Sequence, residues 1–191
     1  MNSSKNLIGT LLLLVVIAAL YRVIPGRPFG FAPQWAMAVF AGAVIRDRKW
    51  AFIIPVLSMF ISDLIYQGLY LAGATSMPGL YEGQWQNYLL FGGLVLVGFA
   101  VKKINVAQVA SASVVAPTLY FILSNFLVWA SNAEVRGLNR PKNLAGLIQC
   151  YVDGIPFYAV SIIATLIFSG ILFGAYLFFR RYQQVGREIN A

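Results

Sequence analysis

Residues 155–179 read IPFYAVSIIATLIFSGILFGAYLFF and end on Arg180 and Arg181. No charged side chain interrupts this run. As a helix rising about 1.5 Å per residue, it outreaches the roughly 30 Å of a bilayer's hydrocarbon core, so it reads as a transmembrane helix. The rest of the chain repeats the pattern, with further apolar runs at 7–24, 35–45, 50–66, 88–101 and 107–130. The alternation of a membrane β-strand is absent. The expectation is an all-α membrane protein: one transmembrane domain over residues 1–191, built as a bundle of about six transmembrane helices.

Composition agrees. Of 191 residues 60% are hydrophobic and 10% charged, against about 25% charged in an ordinary soluble domain. The 14 Lys/Arg exceed the 6 Asp/Glu. They sit in pairs and triples at the ends of apolar runs, where topology signals and phospholipid contacts explain them better than nucleic acid does. The chain has no histidine and a single cysteine, Cys150. That excludes an internal disulfide and a multi-cysteine metal site, and removes the commonest general base. Neither a cofactor nor a metal is expected, and the composition weighs against an enzyme.

The connections carry their own signals. Run 7–24 follows Lys5 but lacks a good cleavage site around Ala18, Ala19 and Leu20, so it reads as a retained helix rather than a signal peptide. Pro25, Gly26, Pro28, Gly30 and Pro33 keep residues 24–34 from being helical. Arg46, Asp47, Arg48 and Lys49 make a tight hairpin between the second and third runs. Residues 67–87 read as a long Gly-rich loop that re-enters the interface. Pro117 predicts a kink in the fifth run, and residues 131–154 form a second polar loop. Counting Lys/Arg on alternate sides gives nine against five. Both termini are therefore expected in the cytoplasm, N-in and C-in, for a multi-pass protein of the plasma (inner) membrane.

With directions assigned, the polar side chains gather at the outer end. Arg22 closes the first helix, Gln34 and Trp35 open the second, and Ser62 and Asp63 lie in the last turn of the third. Asn87 and Tyr88 open the fourth, Asn125 and Trp129 fall in the outer third of the fifth, and Tyr151 and Asp153 precede the sixth. An ionisable group within a span costs about 2.5–3.5 kcal/mol on insertion scales, so Asp63 needs a reason. It either pairs with Arg22 to hold two helices together or lines a pocket open to the outside, and the two are compatible. Asn125 and Trp129 share a helical face; the tryptophan also suits an interfacial anchor and the asparagine an interhelical hydrogen bond. Asp153, before Gly154 and Pro156, suits a helix N-cap as well as a ligand contact. Cys150 suits a small apolar filler. No G-x-x-x-x-G-K-[ST] loop is present, so any transport needs a partner for energy.

The order Arg22-Val-Ile-Pro25, Phe31-Ala32-Pro33, Phe40-Ala41-Gly42-Ala43, Pro55, Ser62-Asp63-Leu64, Ser124-Asn125-Phe126 with Trp129, and Cys150-Tyr151 before Ile155-Pro156-Phe157 resembles DUF6580, an uncharacterised bacterial family of proposed transport proteins. That family is similar to the substrate-binding S components of energy-coupling factor (ECF) transporters. The resemblance implies a six-helix bundle that captures a vitamin or other micronutrient at its outer face. Such a bundle then delivers it by toppling on a separate transmembrane scaffold driven by cytoplasmic ATPases. It puts forward Arg22, Gln34, Asp63, Asn125, Trp129 and Tyr151 as pocket residues, and Ala38 with Gly42 as a small-residue docking face, although S components more usually dock through their first helix.

Two other classes compete. One is a non-transporting membrane scaffold whose Asp63 and Asn125 only tie helices together; the other is an intramembrane enzyme using Asp63 and Asp153 as a carboxylate pair. A cavity of about 300 Å³ or more bounded by Asp63, Asn125 and Trp129 favours capture of a small molecule, whereas a filled core favours the scaffold. The enzyme needs both aspartates in one site.

Overall fold

The computed structural model describes residues 16–21, 24, 26, 28, 30–76, 78–131 and 140–189. A helical segment at residues 16–21, α1, leads into α2 (Gln34–Val44), α3 (Arg48–Leu71), α4 (Gln84–Gly93), α5 (Val95–Phe99), α6 (Val106–Ala130) and α7 (Leu144–Ile189). Among the described residues there is no strand. Three helices are long and apolar enough to cross a membrane: α3, α6 and, over Leu144–Tyr182, α7. They turn an apolar coat outward, with Ile53, Phe60 and Leu64 on α3, Leu119 and Ile122 on α6, and Ile163, Ile167 and Ile171 on α7 all exposed. In water so large an apolar surface would aggregate; acyl chains suit it.

The expected six-span bundle is therefore corrected. The second run forms α2, whose 11 residues rise only about 16 Å. The fourth run breaks at Leu94 into α4 and α5, of ten and five residues. Of the first run, 7–24, only residues 16–21 and 24 are described. Hydropathy counts apolar side chains without asking whether lipid or protein covers them, and apolar helices this short are commonly core or re-entrant elements. Here α2 is core: Ala36, Ala38, Val39 and Ala41 are buried among α3, α5 and α7. Helix ends at membrane depth are tolerated where they face protein or a cavity, and the first turns of α2 and α4 meet that condition.

Where α2 crosses α5 the backbones touch. A Cβ on Gly42 would lie 2.2 Å from the Val95 carbonyl oxygen, and one on Gly98 would lie 2.3 Å from that of Val39. Ala38 and Gly42, expected as a docking face, are thus an internal contact of this chain. Around the crossing, Phe40 packs edge-on to Phe173 at 5.1 Å, joining α2 to α7.

Side-chain caps set several boundaries. Asp47 Oδ1 accepts from the Lys49 amide at 2.9 Å and starts α3, which runs past the expected 66 to Leu71. Asn105 Oδ1 accepts from the Gln108 amide at 2.9 Å, and Gln108 Oε1 accepts from the Lys103 amide at 2.9 Å; this reciprocal cap starts α6 within a residue of expectation. Asn143 Oδ1 accepts from the Gly146 amide at 2.9 Å, so α7 begins well before Ile155. Pro156 lies inside α7, which tolerates the missing donor as membrane helices do. Asp153 is consequently an interior residue of α7 and not its N-cap.

Candidate functional site

Five helices, with the connections before α2 and between α3 and α4, line a cavity of about 610 Å³, within the range of roughly 300–1,000 Å³ usual for small-molecule sites. Helix periodicity places its wall. From α3 come Met59, Asp63 and Tyr66, and from α4 come Asn87 and Phe91. The face of α6 at Pro117, Tyr120, Phe121, Ser124, Asn125 and Val128 meets Gly154, Phe157, Tyr158 and Ser161 of α7. Gln34 and Trp35 enter from the first turn of α2, and the connection between α3 and α4 covers the cavity with Pro78, Gly79 and Tyr81 among others. Trp35 packs edge-on to Tyr120 at 5.4 Å. Phe121 stacks on Tyr158 at 4.6 Å and 22°, giving the α6–α7 wall a flat aromatic surface.

The polar groups are fixed by specific bonds. Asp63 is buried; its Oδ2 accepts from Gln84 Nε2 and from Tyr88 Oη at 2.8 Å. The same Gln84 nitrogen donates to the Gly79 carbonyl at 2.9 Å, so one amide ties the covering loop to the carboxylate. Asn87 donates through Nδ2 to Tyr81 Oη and accepts at Oδ1 from Tyr120 Oη at 3.2 Å. Asn125 Nδ2 donates to the Phe121 carbonyl at 2.8 Å. That bond decides which end of the amide is nitrogen and leaves Oδ1 as an acceptor beside the cavity. Gln34 donates through Nε2 to the Ala18 carbonyl at 3.2 Å, while its Oε1 and the indole Nε1 of Trp35 are buried with no hydrogen-bond partner among the described residues. Buried polar atoms without partners are uncommon, and finding two on consecutive wall residues marks this side of the cavity as chemically incomplete.

Asn125 keeps its position because residue 154 has no side chain. A Cβ there would lie 2.8 Å from Asn125 Oδ1 and 2.9 Å from the Phe121 ring. Gly154→Ala is expected to push the amide out of place. If the cavity holds a ligand, that variant loses about tenfold or more of its affinity, the scale of one lost hydrogen bond to a well-placed group. Isothermal titration or retained-ligand mass spectrometry reads the loss, and unchanged binding would deny the amide a role.

Of the residues singled out in the sequence, Gln34, Trp35, Asp63 and Asn125 come together on the cavity wall. Trp129, Tyr151 and Asp153 do not line it. Trp129 Nε1 donates to the Pro141 carbonyl at 2.9 Å, and the Lys142 ammonium lies 5.8 Å from the indole ring. Tyr151 Oη donates to the Ile122 carbonyl at 3.0 Å. Asp153 accepts from Arg140 Nη2 at 2.5 Å and from Gln149 at 2.9 Å. Tyr151 thus ties α7 to α6, Trp129 ties the end of α6 to the connection before α7, and Asp153 ties that connection to α7. Arg22 lies outside the described residues, as do Glu134 and Arg136. Asp63 and Asp153 are not brought into one site. Among the described residues no cluster of three His, Cys, Asp or Glu could hold a metal.

Gln84, within the loop expected over 67–87, and the aromatic wall of Tyr120, Phe121 and Tyr158 are not among the candidates the sequence singles out. A signal for part of that wall was present: Pro117, Phe121 and Asn125 recur every four residues on one face.

The family model of DUF6580, a family of unknown function, matches residues 2–185. No curated protein and no solved structure matches the chain.

Proposed function

We propose that this chain, which belongs to the DUF6580 family, is a membrane-embedded capture subunit that takes up a small, flat, vitamin- or micronutrient-like molecule. The observation that carries the reading is the cavity of about 610 Å³ whose wall joins Asp63, Asn87, Asn125 and the Gln34 and Trp35 atoms that lack a partner among the described residues to aromatic faces. A planar ring fits against Phe121 and Tyr158, since aromatic faces attract one another in offset or edge-on contact. An N–H or O–H on its edge suits the acceptor at Asn125 Oδ1.

The excess of Lys/Arg at the hairpin before α3, after α5 and at the end of α7 supports an orientation with that end in the cytoplasm and the cavity outside, in the plasma membrane. The chain carries no phosphate-binding loop, so the reading includes a separate energising partner, a transmembrane scaffold with cytoplasmic ATPases.

A second reading rests on its own observation. Gln84 and Tyr88 both bond Asp63, which joins α3 to α4 and is what a purely structural scaffold would want. Native mass spectrometry of protein gently extracted from its own membrane separates the two. Capture predicts a co-purifying small molecule that is lost from both Asp63→Ala and Asn125→Ala. A wild-type protein that is empty, with variants that merely unfold more easily, would favour the scaffold.

A further inference from the structure

Among the described residues, the two ends of the bundle treat their cations differently. At the cavity end Arg140 is paired with Asp153, and Lys142 donates to the carbonyls of Trp129 and Ser131. Their charge is engaged within the chain. At the other end lie Arg46, Arg48 and Lys49, then Lys102 and Lys103, then Arg180 and Arg181, all exposed.

Packing brings these three segments to one end. The Arg48 guanidinium lies 5.5 Å from the centre of the Phe99 ring, and Phe52 meets the same ring at 5.7 Å. The start of α3 therefore abuts the end of α5, just before Lys102. Phe40, late in α2, packs against Tyr176 of α7 at 6.0 Å, one turn before Arg180 and four residues of α2 before the turn that holds Arg46. The acid within these segments, Asp47, turns its Oδ1 to the Lys49 amide. None of the seven cations forms an ion pair among the described residues.

We propose that this end of the bundle binds the headgroups of anionic phospholipids. Like charges collected on one surface repel one another unless counter-anions join them, and juxtamembrane basic clusters attract anionic lipid. A lipid anion is favoured by what adjoins the cations. Trp50 and Tyr182 are exposed beside them, as are Ile53, Phe178 and Val106. Amphipathic aromatics gather at headgroup depth, with acyl chains covering the apolar side chains next to them. Distribution over the ends of α3, α5 and α7 suits several headgroups around the rim rather than one enclosed anion. None of these cations lines the cavity.

The test uses the full chain in nanodiscs of phosphatidylcholine containing about one quarter phosphatidylglycerol, with the lipids that stay bound after ejection counted by native mass spectrometry. The wild type is expected to retain phosphatidylglycerol several-fold above its bulk share. The Lys102→Gln, Lys103→Gln, Arg180→Gln, Arg181→Gln variant falls to the bulk share, whereas Arg140→Gln with Lys142→Gln keeps the enrichment. Should the fourfold variant lose its helical circular dichroism, Arg46→Gln with Lys49→Gln carries the comparison. Lipids retained in bulk proportion by the wild type would overturn the proposal and leave the surface to an acidic protein partner. Enrichment that survives removal of the cations, or falls equally in the cavity-end control, would overturn it as well.

Discussion

Gly42→Ala is expected to destabilise the protein by about 3 kcal/mol or more, at or beyond the upper end of ordinary overpacking. The added Cβ would sit 2.2 Å from the Val95 carbonyl oxygen and 2.9 Å from the Gly98 Cα, and neither obstacle is a side chain that can rotate away. Relief requires α2 and α5 to separate, and α2 is also packed on α3 and α7, so the shift spreads through the core. Gly98→Ala meets the Val39 carbonyl at 2.3 Å and should cost as much. The control is Gly170→Ala in α7, where a Cβ meets nothing within 4 Å and alanine favours the helix. Thermal unfolding in one detergent should show a large fall for the first two variants and none for the third. Equal melting temperatures for Gly42→Ala and Gly170→Ala would mean that the α2–α5 contact is not formed as described.

That contact also explains what could be read from the chain beforehand and what could not. The Ala38–Gly42 pair, expected as a docking face, does mark a close helix approach, but a small-residue face looks the same whether its partner is another protein or a helix some fifty residues further along. Lengths followed the same rule. Residues 107–130 are apolar to both ends and flanked by polar caps, so hydropathy found α6 almost to the residue. The start of α7 was hidden because Gln149, Asp153 and Pro156 look like the end of a loop. Only the Asn143 cap, a local hydrogen bond and not a hydropathy feature, reveals it.

The cavity was half legible for a related reason. Asp63 and Asn125 stood out as polar groups within apolar runs, which is costly enough to be conspicuous, and Gln34 as a polar residue at the mouth of one. Tyr120, Phe121 and Tyr158 did not, because aromatic residues are unremarkable in a membrane helix whichever way they face. Trp129 does not share the face that meets the cavity: Val128 lines it, and the indole is turned to Pro141. Four-residue spacing names a shared face, but the helix's rotation against its neighbours decides what that face meets.

Gly79→Ala is the second large effect, and it should fall on the cavity more than on the fold. A Cβ at this position would lie 1.9 Å from the Asp63 carbonyl oxygen and 2.4 Å from the Gln67 nitrogen, so the covering loop can no longer sit on α3. Lifting it breaks the bonds from the Gly79 and Leu80 amides to Gln67 Oε1, at 3.1 and 3.0 Å, and the one from Gln84 to the Gly79 carbonyl. Losing three hydrogen bonds at about 1 kcal/mol each corresponds to roughly a hundredfold change in the loop's seating equilibrium. The long apolar helices α3, α6 and α7 keep their own contacts, so helical content should stay near the wild-type value. Hydrogen exchange of the amides at 79–84 should accelerate by about that factor, and a molecule held in the cavity should escape correspondingly faster. Gln84→Leu should share the loss of ligand while adding no clash, because it frees the loop from Asp63 by removing the amide that joins them. If Gly79→Ala accelerates exchange while Gln84→Leu leaves both exchange and retention unchanged, the loop is held by its fit to α3 alone, and the carboxylate has no part in closing the cavity.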